Sequence, residues 1–272
     1  MTEVHADGGG ADTSTSGDSA TAEDAGGTSS DAAASDAGPE AGFDVRALPG
    51  LHLWLESTNG LTGNPGFESW KDSSGRWDGG TGDGQPATGV LTAVPNGVNP
   101  PTVVLNGLNG RPTLRFFDGN GSIKIENHPD LHFGTGDFAI VVVAKATAGT
   151  GFLWRMMSAL SVRDGTAVSP TRFCVTEAYR GGDKCTTSAT TTPDPHVFVA
   201  RRNGAQLSLR IDGVVRGTYD IIGTFDVTEN VQPAIIGQDL DLELSELIVI
   251  VGPTTDEKLA GLEQHLKAKF LP

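Results

Sequence analysis

The last thirty residues place the tightest constraint on the fold. Leu242–Val251 begins with alternating apolar and polar residues and ends in an apolar run, which predicts a strand entering a buried core. Gly252-Pro253 ends this strand, and Thr254–Glu257 has the capping threonine and early acidic residues of a helix start. The helix then carries one apolar stripe, formed by Leu259, Leu262, Leu266 and Phe270. A strand followed by one closing amphipathic helix requires a β-sheet for the helix to cover.

The preceding 200 residues contain about a dozen short apolar or alternating segments separated by Gly, Asn, Asp and Pro turns. The strongest is Phe138–Lys145, where four successive aliphatic residues predict a strand buried on both faces. Residues 60–66 and 78–100 are rich in Gly and Pro and are predicted to be irregular. The pattern predicts an all-β fold, a two-sheet antiparallel jelly-roll sandwich with a short C-terminal α-helix.

Charge separates the N-terminal segment from the rest. Residues 1–43 hold nine of the 34 acidic residues and none of the 19 basic ones. They lack the large apolar side chains that offset ordering entropy, so we expect a disordered acidic linker followed by a folded domain over 44–272. The low sequence pI of about 4.6 argues against nucleic-acid binding, and no apolar run is long enough for a transmembrane helix.

The linker composition is typical of spacers that tether exported domains, which predicts an extracellular or cell-surface location. The sequence shows no export signal, and the alternative is a cytoplasmic protein with a solubilising tail.

Several short motifs, in this order, carry a family resemblance. They are Leu53-Trp-Leu55, Trp70-x-Asp72-x-x-Gly75, Asn109-Gly-Arg-Pro112, Leu114-Arg-Phe-Phe-Asp-Gly119, Asp137-Phe-x-Ile-Val-Val-Val143, His196-x-Phe-x-Ala-Arg201, Leu207-x-Leu-Arg-Ile-Asp-Gly213, Ile235-Ile-Gly237, Leu244-Ser-Glu-Leu-Ile-Val249 and the helix with Leu262, Leu266 and Lys269. The chain from about Leu48 to Leu271 resembles the concanavalin A-like, laminin G-type jelly-roll domains of bacterial surface proteins. The resemblance implies two facing antiparallel sheets, one of them concave. It also implies binding of sugars, glycosaminoglycans or proteins, in some members through calcium.

The same resemblance extends to glucanases. Asp239-x-Asp241-x-Glu243 is similar to their E-x-D-x-E motif, in which one glutamate attacks the sugar and the other protonates the leaving oxygen. Strand alternation would place the three carboxylates on one face, although the first position holds Asp instead of Glu. The alternative is a solvated strand face, with Glu246 bonded internally.

Two other sites can be predicted from residue type. Asp118 and Asn120, on a Gly-rich turn, are the best candidate calcium ligands, because Ca²⁺ prefers loop carboxylates and carbonyls. The same turn forms readily without a metal, so a protein without any cofactor is the alternative. Trp70 and Trp77 lie near loops and could stack on sugar rings, with core packing as the alternative.

Cys174 and Cys185 are eleven residues apart and flank the predicted hairpin at Arg180–Asp183. Facing positions on paired strands would bring them within disulfide range. A chain with only these two cysteines favours a bridge in an oxidising compartment over a metal or nucleophilic site.

Three functions remain open from the sequence. The first is a non-catalytic binding module that recognises carbohydrate or protein through loops at one rim of the sandwich. The second is a glycoside hydrolase that uses Asp239, Asp241 and Glu243. The third is a structural surface module without a small ligand, and the oligomeric state stays undetermined.

Overall fold

The computed structural model describes residues 42–76, 91–117, 121–131, 133–134, 136–156, 160–165, 172–177, 182–186, 194–220 and 233–271. Their strands are β1 Leu51–Glu56, β2 Leu61–Gly63, β3 Phe67–Lys71, β4 Thr92–Asn96, β5 Thr102–Val104, β6 Thr113–Phe116, β7 Ser122–Ile125, β8 Phe138–Met156, β9 Leu160–Gly165, β10 Arg172–Glu177, β11 Gly182–Cys185, β12 His196–Asn203, β13 Gln206–Ile211, β14 Val214–Asp220 and β15 Ala234–Val251. Helix α1 is Asp256–Phe270, and short 3-10 turns occupy Val45–Ala47, Leu108–Gly110 and Pro129–Leu131. The predicted all-β fold with one closing helix is confirmed.

Two long antiparallel strands, β8 and β15, form the centre of the sandwich. They pair along their whole length, and the remaining strands extend outwards from them. One end of the pair carries β12, β13, β14 and β1, and the other carries β9, β10, β11, β7, β4, β3 and β2. The β5–β6 pair joins β15 between β1 and β7. All of these pairings are antiparallel, as the sequence pattern predicted.

The central strands are buried on both faces. Phe138, Ile140 and Val142 point into the main core between the sheet layers. Their neighbours Val141 and Val143 point to the opposite face, into a second core beneath helix α1. The two cores explain why this segment shows no polar alternation.

Helix α1 covers only part of the outer surface. Thr255 caps its N-terminus by accepting a hydrogen bond from the Lys258 backbone N–H. The predicted stripe lies in the second core, packed on Ile248, Ile250 and the outward residues of β8 and β12. The outer sheet surface beyond the C-terminal end of the helix carries polar side chains instead.

The structure corrects four sequence predictions of local conformation. Residues 61–63 and 92–96, predicted as irregular, form β2 and β4. Strands β8 and β15 extend beyond the predicted segments Phe138–Lys145 and Leu242–Val251, because the two strands pair with each other along the added length.

Strand β15 accommodates its length through local irregularities. Its register shifts near Asp239, whose backbone has a φ of 58°, a conformation that Asp tolerates better than most residues. Gly237 has a φ of 75°, and a Cβ there would lie 2.4 Å from the Phe116 ring, so only glycine fits this position.

Candidate ligand-binding surfaces

A row of polar residues crosses the outer surface where helix α1 ends. Thr102 of β5 faces Arg115 of β6, Arg115 faces Glu243 of β15, and Glu243 faces Lys145 of β8. These side chains point outwards because their strand neighbours, such as Leu114 and Leu242, are buried in the main core. We call these four residues the polar row.

Arg115 is the centre of the row. Its guanidinium lies 3.6 Å from Glu243 Oε1 and 3.9 Å from Asp241 Oδ1. Its charged end also lies 5.1 Å from the centroid of the Phe117 ring, within the range of a cation–π contact. Phe117 itself keeps 43 % of its surface exposed. The result is an aromatic ring beside hydrogen-bond donors and acceptors on an open surface.

Two of the three predicted catalytic carboxylates, Asp241 and Glu243, lie on this outer side, and Asp239 is exposed two residues before Asp241. Leu240, Leu242 and Leu244 between and beyond them are buried. Asp239 itself is the unpaired residue at the register shift, so a shared catalytic face for all three carboxylates stays a prediction. Asp241 and Glu243 share the Arg115 guanidinium. The arrangement places paired charges on the outer surface, and hydrolysis by it stays a prediction.

The structure assigns Trp70 to the core instead of a sugar-stacking position. Its side chain is fully buried, and its indole N–H donates to the Glu56 carbonyl at 2.9 Å. A ring without an accessible face cannot stack on a sugar. Trp77, its predicted partner, lies outside the described residues.

Asp118 and Asn120 also lie outside the described residues, so the calcium site stays a prediction. Within the part of the chain that the structure describes, no group of three His, Cys, Asp or Glu side chains could hold a metal ion. No helix among those residues is long and apolar enough to cross a membrane.

The predicted disulfide between Cys174 and Cys185 is confirmed. The two residues face each other on the paired strands β10 and β11. The Tyr219 hydroxyl of β14 donates to the Cys185 carbonyl, and the Lys184 ammonium lies 6.0 Å from the Tyr219 ring. The bridge therefore links the two strands of the β10–β11 hairpin, and β11 contacts the edge strand β14.

A buried charge cluster lies where helix α1 ends. The Lys269 ammonium binds Glu56 at 2.6 Å and also binds Glu246, which is fully buried. The Trp54 indole N–H donates to the second Glu246 oxygen at 3.3 Å. Burial raises the pKa of Glu246 to about 7, although the Lys269 charge opposes this rise. Internal bonding of Glu246 was one of the two alternatives left open by the sequence, and its partners Lys269 and Trp54 were not predicted.

An open cleft of about 480 Å³ lies beside this cluster, with Phe43, Trp54, Arg111, His265 and Lys269 in its lining. Its volume is within the range of small-molecule sites. Burial lowers the pKa of His265, and the Lys269 and Arg111 charges lower it further. Lys269 is engaged by two carboxylates, and Arg111 donates its Nε–H to the Lys269 carbonyl. The two cationic side chains of the cleft, Lys269 and Arg111, therefore already have partners within the protein.

No protein-family model and no curated protein match the sequence. Solved structures match its fold. Domain 4 of AbnA, a GH43 extracellular arabinanase from Geobacillus stearothermophilus solved in complex with arabinotriose, has a TM-score of 0.54 at 13 % identity. That comparison covers 79 % of this chain and 98 % of the arabinanase domain.

Toxin binding domains match to the same degree. The binding domain of Paraclostridial Mosquitocidal Protein 1 has a TM-score of 0.57 at 13 % identity, with 79 % of this chain and 52 % of that one covered. The receptor binding domain of a botulinum neurotoxin C/D mosaic serotype has a TM-score of 0.56 at 10 % identity, with 79 % and 51 % covered. The chain thus spans about half the length of these toxin domains. At identities this low, the likeness shows a shared β-sandwich fold and says nothing about function.

Proposed function

We propose that the chain is a non-catalytic carbohydrate-binding module of an exported or cell-surface protein, and a member of the concanavalin A-like, laminin G-type group. The observation that supports this most directly is the open outer surface with Arg115, Asp241, Glu243 and the exposed Phe117 ring. Sugar hydroxyls bind planar donors and acceptors, and the apolar faces of sugar rings pack on aromatic rings.

Two further findings support the proposal. A likeness that spans almost the whole of an arabinanase domain solved with a bound sugar is compatible with carbohydrate recognition by this fold. The Cys174–Cys185 bridge suits an oxidising compartment, where disulfides persist.

A thermal melt of the full chain with a panel of oligosaccharides tests the proposal. A ligand that binds only the folded state raises its stability by about 2.7 kcal/mol at a hundredfold excess over Kd, which shifts the midpoint by several degrees. We expect such a shift with at least one glycan. A chain whose midpoint is the same with every glycan would contradict carbohydrate recognition and favour a protein ligand or a structural role.

The same melt, repeated with calcium and with a chelator, tests the metal prediction at Asp118 and Asn120. A calcium-dependent rise of the midpoint would support that site. Glycoside hydrolysis is the alternative function, favoured only by the spacing of Asp239, Asp241 and Glu243 along β15. Release of reducing ends from any glycan that binds would support it and contradict a non-catalytic role.

A further inference from the structure

The polar row has a defined length and direction, and what we infer from it rests on the proposed carbohydrate binding. Neighbouring β-strands lie about 4.8 Å apart, so Thr102, Arg115, Glu243 and Lys145 on four adjacent strands span about 14 Å. The row runs across the strands. It therefore offers one hydrogen-bonding group per strand, at a spacing similar to the length of one sugar ring.

The central groups of the row are held in place before any ligand arrives. Arg115 lies between two carboxylates and over the Phe117 ring, and 40 % of its side chain is exposed. Because these contacts restrict its orientation, less side-chain entropy is lost when a ligand binds than would be lost with a free arginine.

Charge limits the kind of ligand. Asp241 and Glu243 lie on this side with Arg115 and Lys145, and the exposed carboxylate of Asp239, two residues before Asp241, adds a negative charge nearby. Residues 44–272 carry 25 acidic and 19 basic residues, so the whole domain is also negative. An anionic glycan would be repelled, whereas a neutral one meets both donors and acceptors.

We infer that the polar row binds a linear, neutral oligosaccharide of about three rings, laid across strands β5, β6, β15 and β8 with one ring packed on Phe117. A protein partner fits this surface less well. Protein interfaces are built around a large desolvated apolar centre, and this surface offers one exposed aromatic ring surrounded by charges.

Calorimetric titration of the full chain tests the inference. The probes are arabino-, xylo- and cello-oligosaccharides of two to five rings, with oligogalacturonates as the anionic counterpart. For a neutral series that binds, we expect affinity to rise up to about three rings and then level off. Phe117→Ala and Glu243→Gln should each weaken binding by about tenfold, which corresponds to the loss of one good contact.

Val214→Ala is the matched control, because Val214 is half-exposed on the edge strand β14, away from the polar row. Its affinity should equal that of the wild type. Glu243→Gln keeps the shape of the side chain, so it tests the inference even if Phe117→Ala does not fold.

The outcomes separate the inference from the proposed function. If a neutral oligosaccharide binds the wild type and both variants with equal affinity, the polar row is not its binding site. Carbohydrate binding by the chain would still be supported. Tighter binding of oligogalacturonates than of every neutral series also overturns the inference. Absence of binding by both classes overturns the proposed function and the inference together.

Discussion

At the scale of single residues, Glu246 is the most unusual group in the described chain. It is a fully buried carboxyl held by an ammonium and an indole N–H. Burial dominates its environment, and its pKa rises from 4.5 to about 7. A rise of this size corresponds to about 3 kcal/mol of preference for the protonated form in the folded state.

Glu246 should therefore make the protein less stable as pH increases. The folded state holds the Glu246 proton between pH 4.5 and about 7 while the unfolded state has released it, so the free energy of unfolding falls across this range. We expect wild type to lose up to about 3 kcal/mol from this group between pH 5 and pH 8. In Glu246→Gln that loss should disappear, as measured by urea unfolding at both pH values.

The comparison of wild type with Glu246→Gln also controls for the other groups that titrate in this pH range. His52 and His265 have lowered pKa values, mainly through burial, so their contributions are lost as pH falls and have the opposite sign. They are present in both proteins and cancel in the difference. Equal pH dependence in wild type and Glu246→Gln would contradict the assigned pKa.

At the scale of elements, helix α1 is attached by its apolar stripe and by ion pairs along its length. Arg201 binds Asp256 at its start, Arg210 binds Glu263 at 2.7 Å in its middle, and Lys269 binds two glutamates at its end. Removing one partner of a buried pair leaves an uncompensated charge, so these contacts fix the position of the helix more than they add net stability.

The apolar stripe should supply most of the stability of helix docking. Leu262 is fully buried against the sheet, so Leu262→Ala should lower the free energy of unfolding by about 2–5 kcal/mol in urea. Gln264→Ala, at an exposed position on the same helix, should change it by less than about 0.5 kcal/mol. Similar effects of the two substitutions would show that the helix does not pack as described.

The disulfide stabilises the β10–β11 hairpin at the edge of the sheet. Closing so short a loop contributes at most roughly 3 kcal/mol on the chain-entropy estimate. We expect Cys174→Ser combined with Cys185→Ser to lower the free energy of unfolding by up to that amount. Wild type in reducing agent should match the double variant, and mass spectrometry after thiol alkylation checks the bridge. Full stability without the bridge would show that strand pairing alone holds the hairpin.

At the scale of the whole molecule, helix α1 and the polar row divide the outer surface. The helix covers the part of β8, β12 and β15 whose outward residues are aliphatic. Where it ends, the outward residues of β6, β8 and β15 become charged. The short length of the helix thus leaves one polar sheet surface open, and this surface is the one that we propose for ligand binding. The boundary between the acidic linker at 1–43 and the folded domain stays a prediction.

Local patterns were sufficient for most of the architecture. The alternation in Leu51–Glu56, the apolar run in Phe138–Lys145 and the helical stripe each depend on residues a few positions apart, so the sequence alone identified them. The cysteine pair was predictable for the same reason, because its partners flank one hairpin. Strand β4 was missed because it lies in the Gly- and Pro-rich stretch 78–100 and contains Pro95, which argues against a strand. In the structure β3 pairs with β4 only at Thr92 and Ala93, so Pro95 has a strand partner only in β7.

Only the tertiary structure revealed the two candidate surfaces, which are the cleft beside Lys269 and the polar row. Lys269 meets Glu56 across 213 positions of the chain, and Arg115 meets Asp241 and Glu243 only because β6 pairs with β15. The same packing buried Trp70, whose position near a loop had suggested an accessible ring. The sequence determined which segments are strands and which face of each is apolar. The pairing of distant strands decided which polar side chains meet, because such contacts leave no periodic signal in the chain.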